Sequence, residues 1–174
     1  RTDRKYLMFT DATTYCGIGE FPGDRRKGDS NWANSGPNYS RVDSGCWDPR
    51  SAAHELAHNL GAVNNAAPHA TQAGHCFDEW DTMCYRDAPN APAMQVLCKD
   101  QAHELRLDCG HDDYYSTNPA PGSYLANNFN VADSLFLIKD DPAPQPTPTP
   151  TTPAPTTPAP TTPAPTTPAP TTPA

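Results

Sequence analysis

Apolar residues fall in short runs separated by long polar stretches, and one run changes period. Tyr6 to Phe9 is a brief apolar segment ending at Thr10-Asp11, which predicts a buried strand, and Tyr15 to Phe21 predicts a second. Residues 22 to 38 are rich in Gly, Pro, Asn, Asp and Ser and read as a long surface loop, after which Tyr39 to Val42 predicts a short edge strand. The period then becomes helical. Ala53, Leu56, Ala57 and Leu60 fall on one side of a helix predicted over Pro49 to Leu60, with Asp48 as N-cap, Pro49 in the first turn and Gly61 as the stop. From Gly61 to Pro92 the pattern is irregular. Lys99 to Leu107 predicts a second helix, and the apolar run Leu135 to Ile138 is placed to close the domain.

From Pro142 to Ala174 the chain is almost only Pro, Thr and Ala, with Thr-Thr-Pro-Ala-Pro repeated from Thr151. Without large apolar side chains nothing offsets the entropy of ordering, so this segment is expected to be a stiff, disordered spacer. The division is therefore one folded domain over residues 1–141 and a Pro/Thr/Ala-rich segment over 142–174, expected to be a linker to a further module or through a cell wall, with an unmodified disordered end as the plainer alternative. The opening at Arg1, already strand-like, reads as that of a fragment or processed chain.

All six cysteines lie in the front part, and their order suggests three local loops, Cys16 with Cys46, Cys76 with Cys84 and Cys98 with Cys109, among many formal connectivities. An even count without Cys-x-x-Cys points to an oxidising, secreted setting. The net charge of −8 argues against a nucleic-acid surface, and no apolar run is long enough for a membrane span.

The chemistry concentrates on the first helix, in His54-Glu55-Leu56-Ala57-His58-Asn59-Leu60-Gly61. Two histidines at i and i+4 stand one turn apart on one face and can converge on a single ion. Zinc suits two imidazoles with an open position for water, and Glu55 is placed to take that water's proton. A merely polar helix face is the plainer alternative.

This pattern resembles the metzincin clan of zinc peptidases, whose motif is His-Glu-x-x-His-x-x-Gly-x-x-His or Asp, followed by a methionine-containing turn. The match covers His54, Glu55, His58 and Gly61, with Met83 as the turn methionine. The resemblance implies an α+β domain in which a small mixed sheet packs on the active-site helix, here stapled by disulfides. It also implies Glu55 as general base, and a Tyr two places after the methionine, Tyr85, as a donor to the developing oxyanion; a Tyr packed beside a disulfide is the bland alternative.

One position departs from the pattern, because Asn64 stands where His or Asp is expected, and a neutral carboxamide is a poor zinc donor. His75 and His69 are the replacements to consider, His75 ahead because a Cys76–Cys84 bridge would tie it to the Met83 turn. Glu79 would give a thermolysin-like site, but Gly61 and the lack of helical pattern around Glu79 speak against it. Asp78, Glu79, Asp81, Asp112 and Asp113 offer oxygens of the kind calcium takes, without calcium-loop spacing, and solvated loop carboxylates are the plainer reading. His103-Glu104 lacks a second histidine one turn on, and Trp32, Trp47 and Trp80 fit either a cleft or the core.

The expected function is a secreted, zinc-dependent endopeptidase acting on protein or peptide substrates, with zinc held by His54, His58 and His75. The competing expectation is an inactive binding or adhesion module on a Pro/Thr stalk, motivated by Asn64.

Overall fold

The computed structural model describes residues 3–138. The linker expected over 142–174 and its boundary at 141 lie outside these residues, as does Arg1. The described part is a small mixed α+β domain with three disulfides, Cys16–Cys46, Cys76–Cys84 and Cys98–Cys109.

Strands β1 (Lys5–Phe9), β2 (Gly17–Gly19) and β3 (Asn38–Val42) form one sheet in the order β1-β3-β2. β1 runs parallel to β3 from Lys5 opposite Asn38 to Phe9 opposite Val42, whereas β2 is antiparallel, with Gly17 opposite Val42. The sequence places β3 at an edge; it is central. Its N–H and C=O groups are shared by two partners because residues 10–37 leave β1, form β2 on the far side and return. The strand expected over Tyr15 to Phe21 shrinks to three residues, although in-register bonds extend the pairing beyond both ends, Glu20 N to the Tyr39 carbonyl at 3.0 Å and Asp43 N to the Cys16 carbonyl at 2.9 Å.

Helix α1 (Pro49–Asn59) crosses this sheet. The Asp48 carboxylate accepts from the amides of Arg50 and Ser51 at 2.9 and 3.0 Å, satisfying two of the donors orphaned at a helix start. At the other end Gly61 has φ +100°, the left-handed conformation that lets the chain leave the helix sharply. The buried side differs from the apolar stripe expected from the sequence. Ala53 is exposed, whereas Glu55, His58 and Asn59 are buried with Ala57 and Leu60. Asn59 belongs inside because its amide donates to the Glu20 and Tyr39 carbonyls, at 2.9 and 3.1 Å, and so bolts helix to sheet.

The approach of helix to sheet is close enough to dictate glycine in β2. A Cβ on Gly19 would stand 2.6 Å from the Glu55 carbonyl oxygen, and one on Gly17 would collide with the Glu55 side chain. Elsewhere the core gathers Val63, Met83, Tyr114, Phe129 and Val131 with the Cys76–Cys84 bridge, and Val42 and Leu125 are fully buried as well. Trp32 and Trp47 are exposed.

Two-residue strands β4 (Asp78–Glu79) and β5 (Gln95–Val96) pair in parallel. The helix expected over Lys99 to Leu107 is a 3-10 segment at Gln101–Leu105, capped by Asp100 and with no buried residue; lacking an apolar face to bury, it has no packing to hold an α-helix. A four-residue helix, α2 (Tyr124–Asn127), follows. Of the closing run, Phe136 and Leu137 pack against the core and Leu135 and Ile138 stay exposed.

Candidate metal centre

Helical spacing puts His54 and His58 on one face of α1, with ring centroids 4.8 Å apart. The third imidazole arrives from the chain beyond Gly61. Val63 N bonds the Gly74 carbonyl at 3.1 Å, Thr71 N bonds the His75 carbonyl at 2.8 Å, and Phe77 N bonds the His69 carbonyl at 3.0 Å. This hairpin-like return sets His75 against the helix, its ring centroid 5.1 Å from that of His54 and 4.9 Å from that of His58. One nitrogen from each ring lies within 4.8 Å of the others.

The hydrogen bonds fix the tautomers. His54 Nδ1 is 2.8 Å from the Thr82 carbonyl oxygen and His58 Nδ1 is 2.8 Å from that of Ala62. Carbonyls only accept, so both Nδ1 atoms carry hydrogen. His75 Nδ1 likewise donates to the Asp87 carboxylate at 2.8 Å. Each ring therefore offers a bare Nε2 lone pair, and His58 Nε2 faces His75 Nε2 at 3.2 Å. Two opposed lone pairs repel unless an electrophile lies between them. Burial favours the neutral state, pushing His54 down to about 4 and His58 down to about 3, and His75 is lowered as well. Neutral imidazoles whose outer nitrogens donate to carbonyl or carboxylate form the donor set expected of a metal centre, and three nitrogens suit zinc.

Glu55, the helix residue after His54, is buried, and desolvation pushes its carboxyl up to about 7. It borders two recesses, one of about 240 Å³ that also contains His58, Gly74 and His75, and one of about 430 Å³ that contains Tyr15, Arg50, Ser51 and Thr82. Gly17, His54, Glu55 and Tyr85 line both, so the two recesses adjoin beside the histidines and together flank an open cleft on this face. β2 is an edge strand and forms part of the wall.

Tyr85 stands over the cluster, its ring centroid 4.3 Å from His75 and 5.6 Å from His54, and it is 43% exposed, so its phenol is accessible from the cleft. Met83 is fully buried, next in sequence to Thr82, whose carbonyl holds His54. Its own amide donates to Asp81 at 2.6 Å, which fixes the turn.

The other ligand candidates lie elsewhere. Asn64 donates to the Gly23 carbonyl at 3.1 Å and borders a recess that holds none of the three histidines. His69 turns to Asp113, and Glu79, in β4, belongs to none of the ligand clusters among the described residues. Asp87 was missed by the sequence reading. Only the general tendency of ligating histidines to donate to a carboxylate could have flagged it, because nothing in the spacing of His75 and Asp87 is periodic. Gly17 and Gly19 were missed too, although a Gly-x-Gly in a predicted strand signals close backbone approach.

No membrane-crossing helix occurs among the described residues, and the three disulfides, with no free cysteine, are compatible with an extracellular protein. The chain matches no family model, no curated protein and no solved structure.

Proposed function

We propose that this chain is a secreted zinc-dependent endopeptidase of metzincin type, with His54, His58 and His75 as ligands and Glu55 as general base. The observation that carries the proposal is the convergence of three imidazoles, each with its Nδ1 against a carbonyl or carboxylate acceptor, beside a buried carboxyl in an open cleft. When bound, zinc supplies Lewis acidity that polarises a scissile carbonyl and makes a neighbouring water acidic.

Glu55 would accept a proton from the attacking water and pass it to the leaving amine, a transfer that needs its carboxyl within hydrogen-bond reach of both. The Tyr85 phenol would donate to the carbonyl oxygen as charge develops there. A peptide fits better than a compact substrate, because β2 offers the unpaired backbone groups of an edge strand along the cleft wall. The inactive-module reading arose from Asn64, and His75 beside the other two rings leaves it without that motive.

Casein hydrolysis by the zinc-loaded full chain, measured beside zinc content, tests this reading. Glu55→Gln is expected to keep zinc and lose about 100- to 10,000-fold in rate. Undiminished hydrolysis by Glu55→Gln would sink the mechanism, whereas bound zinc with no activity in either protein would favour a binding module.

A further inference from the structure

Besides the three-histidine centre, His69, Asp78, Asp112 and Asp113 bring one imidazole nitrogen and three carboxylate oxygens within 4.8 Å of one another. His69 Nδ1 is 3.0 Å from Asp113 Oδ2 and 3.8 Å from both Asp78 Oδ2 and Asp112 Oδ1. Ligand atoms on a tetrahedral ion at about 2.1 Å stand roughly 3.4 Å apart, so these separations bracket those of a filled site.

The independent sign of a missing ligand is Asp78. Its residue is only 1% exposed, yet Oδ2 has no hydrogen-bond partner; it lies 3.8 Å from His69 Nδ1 and beside the Asp113 carboxyl, which is an acceptor like itself. Its Oδ1 lies 3.3 Å from Cys84 Sγ, a disulfide sulfur with no hydrogen to give. Asp112 Oδ1 is buried and unpartnered as well. His69 Nδ1 carries at most one hydrogen, and Asp113 Oδ2 is its nearest acceptor. Three carboxylates facing one imidazole are thus short of positive charge, and buried carboxylate oxygens without a donor are costly.

The acidic groups are also held in place. Asp108 accepts from the amides of Asp112, Asp113 and Tyr114 at 3.1, 3.1 and 2.6 Å, which fixes the turn that carries two of the carboxylates.

We propose that His69, Asp78, Asp112 and Asp113 form a second divalent-cation site, of the class that accepts imidazole nitrogen together with carboxylate oxygen, zinc being the representative ion. Calcium takes oxygen shells, and the nitrogen lying among the three oxygens favours a transition-metal ion instead. The site has a structural task. His69 and His75 sit on the same hairpin, tied by the Phe77 to His69 backbone bond and an antiparallel bridge between Ala70 and Cys76. An ion at His69 clamps the base of this hairpin to Asp78 and to the 112–113 turn while its other arm presents His75 to the first centre.

The test is zinc stoichiometry of the chelator-stripped full chain after reloading and removal of free metal, read by elemental mass spectrometry. The wild type is expected to hold about two equivalents, and His69→Ala, Asp113→Asn and, separately, His58→Ala about one each. One equivalent in the wild type, lost in His58→Ala and kept in Asp113→Asn, would overturn the second site. One equivalent lost in Asp113→Asn but kept in His58→Ala would support it while removing the first centre, so the two proposals fail separately. Retention of calcium but not of a second zinc would overturn the imidazole ligation. Asp112→Ala, at a half-exposed position, repeats the count if a buried variant fails to fold, and two zinc equivalents in a folded Asp112→Ala and Asp113→Asn alike would also refute the assignment.

Discussion

Asp87→Ala isolates the contribution of a residue that touches no metal to the centre of three histidines. Asp87 is almost fully buried and accepts from His75 Nδ1 at 2.8 Å and from the Thr71 hydroxyl. It fixes the tautomer of His75, orients the ring and, as an anion, raises the basicity of the opposite nitrogen. Removing such a partner costs metal affinity about 10- to 100-fold, or about 1.4 to 2.8 kcal/mol. The same range follows from the worth of a hydrogen bond to a charged group, about 1.5 to 3 kcal/mol. Zinc affinity would be measured by competition with a chromogenic chelator in the wild type, Asp87→Ala and Thr71→Val. The last variant removes a neighbour of the carboxylate but leaves it facing His75, and its affinity should stay within a few-fold of wild type. An unchanged affinity in a folded Asp87→Ala would refute the orienting role; an equal loss in Thr71→Val would assign the effect to packing.

The helix cap gives a pH-dependent prediction. The amide and hydroxyl of Ser51 hold the Asp48 carboxyl below its usual range, so its stabilisation is present above the unfolded value of about 3.9 and is lost as pH falls through the lower native one. Asp48→Ala should cost about 1 kcal/mol in urea unfolding near neutrality, and the gap to wild type should close in acid; a gap persisting there would mean that the charge is irrelevant. Gly19→Ala forces a Cβ against the Glu55 carbonyl and should cost about 1 to 3 kcal/mol with reduced hydrolysis, and wild-type stability and rate would disprove so tight a contact. Replacing Cys76 and Cys84 together by Ser opens a loop of sequence separation 8. By chain entropy this costs about 2.5 kcal/mol, and unfolding midpoints equal to those of the wild type would show that the bridge does not constrain the unfolded chain.

The helix that carries His54 and His58 was legible because everything that defines it is local. The cap at Asp48, the stop at Gly61 and the i, i+4 spacing of His54 and His58 involve residues at most a few turns apart, and helical geometry alone puts both rings on one face. The suggested disulfide pairing holds because each bridge joins cysteines adjacent in chain order, over separations of 30, 8 and 11. The position of β3 was not: an edge strand and a central one differ in where the intervening chain travels, and the polar loop of residues 22 to 38 carries no periodic signal of its path.

Which of His75 and His69 lies beside His54 and His58 needed the tertiary structure for the same reason. Both lie on one irregular segment beyond Gly61, and the Val63 to Gly74 and Thr71 to His75 bonds send one ring toward α1 and the other toward Asp113. Asp87, Gly17 and Gly19 acquire their roles only when distant segments meet, since a hydrogen bond or a collision between them leaves no mark on spacing along the chain. Local rules thus carried the placing of His54, Glu55 and His58 on one helix, while the approach of His75, its Asp87 partner and the wall formed by β2 came from contacts between segments that sequence order does not bring together.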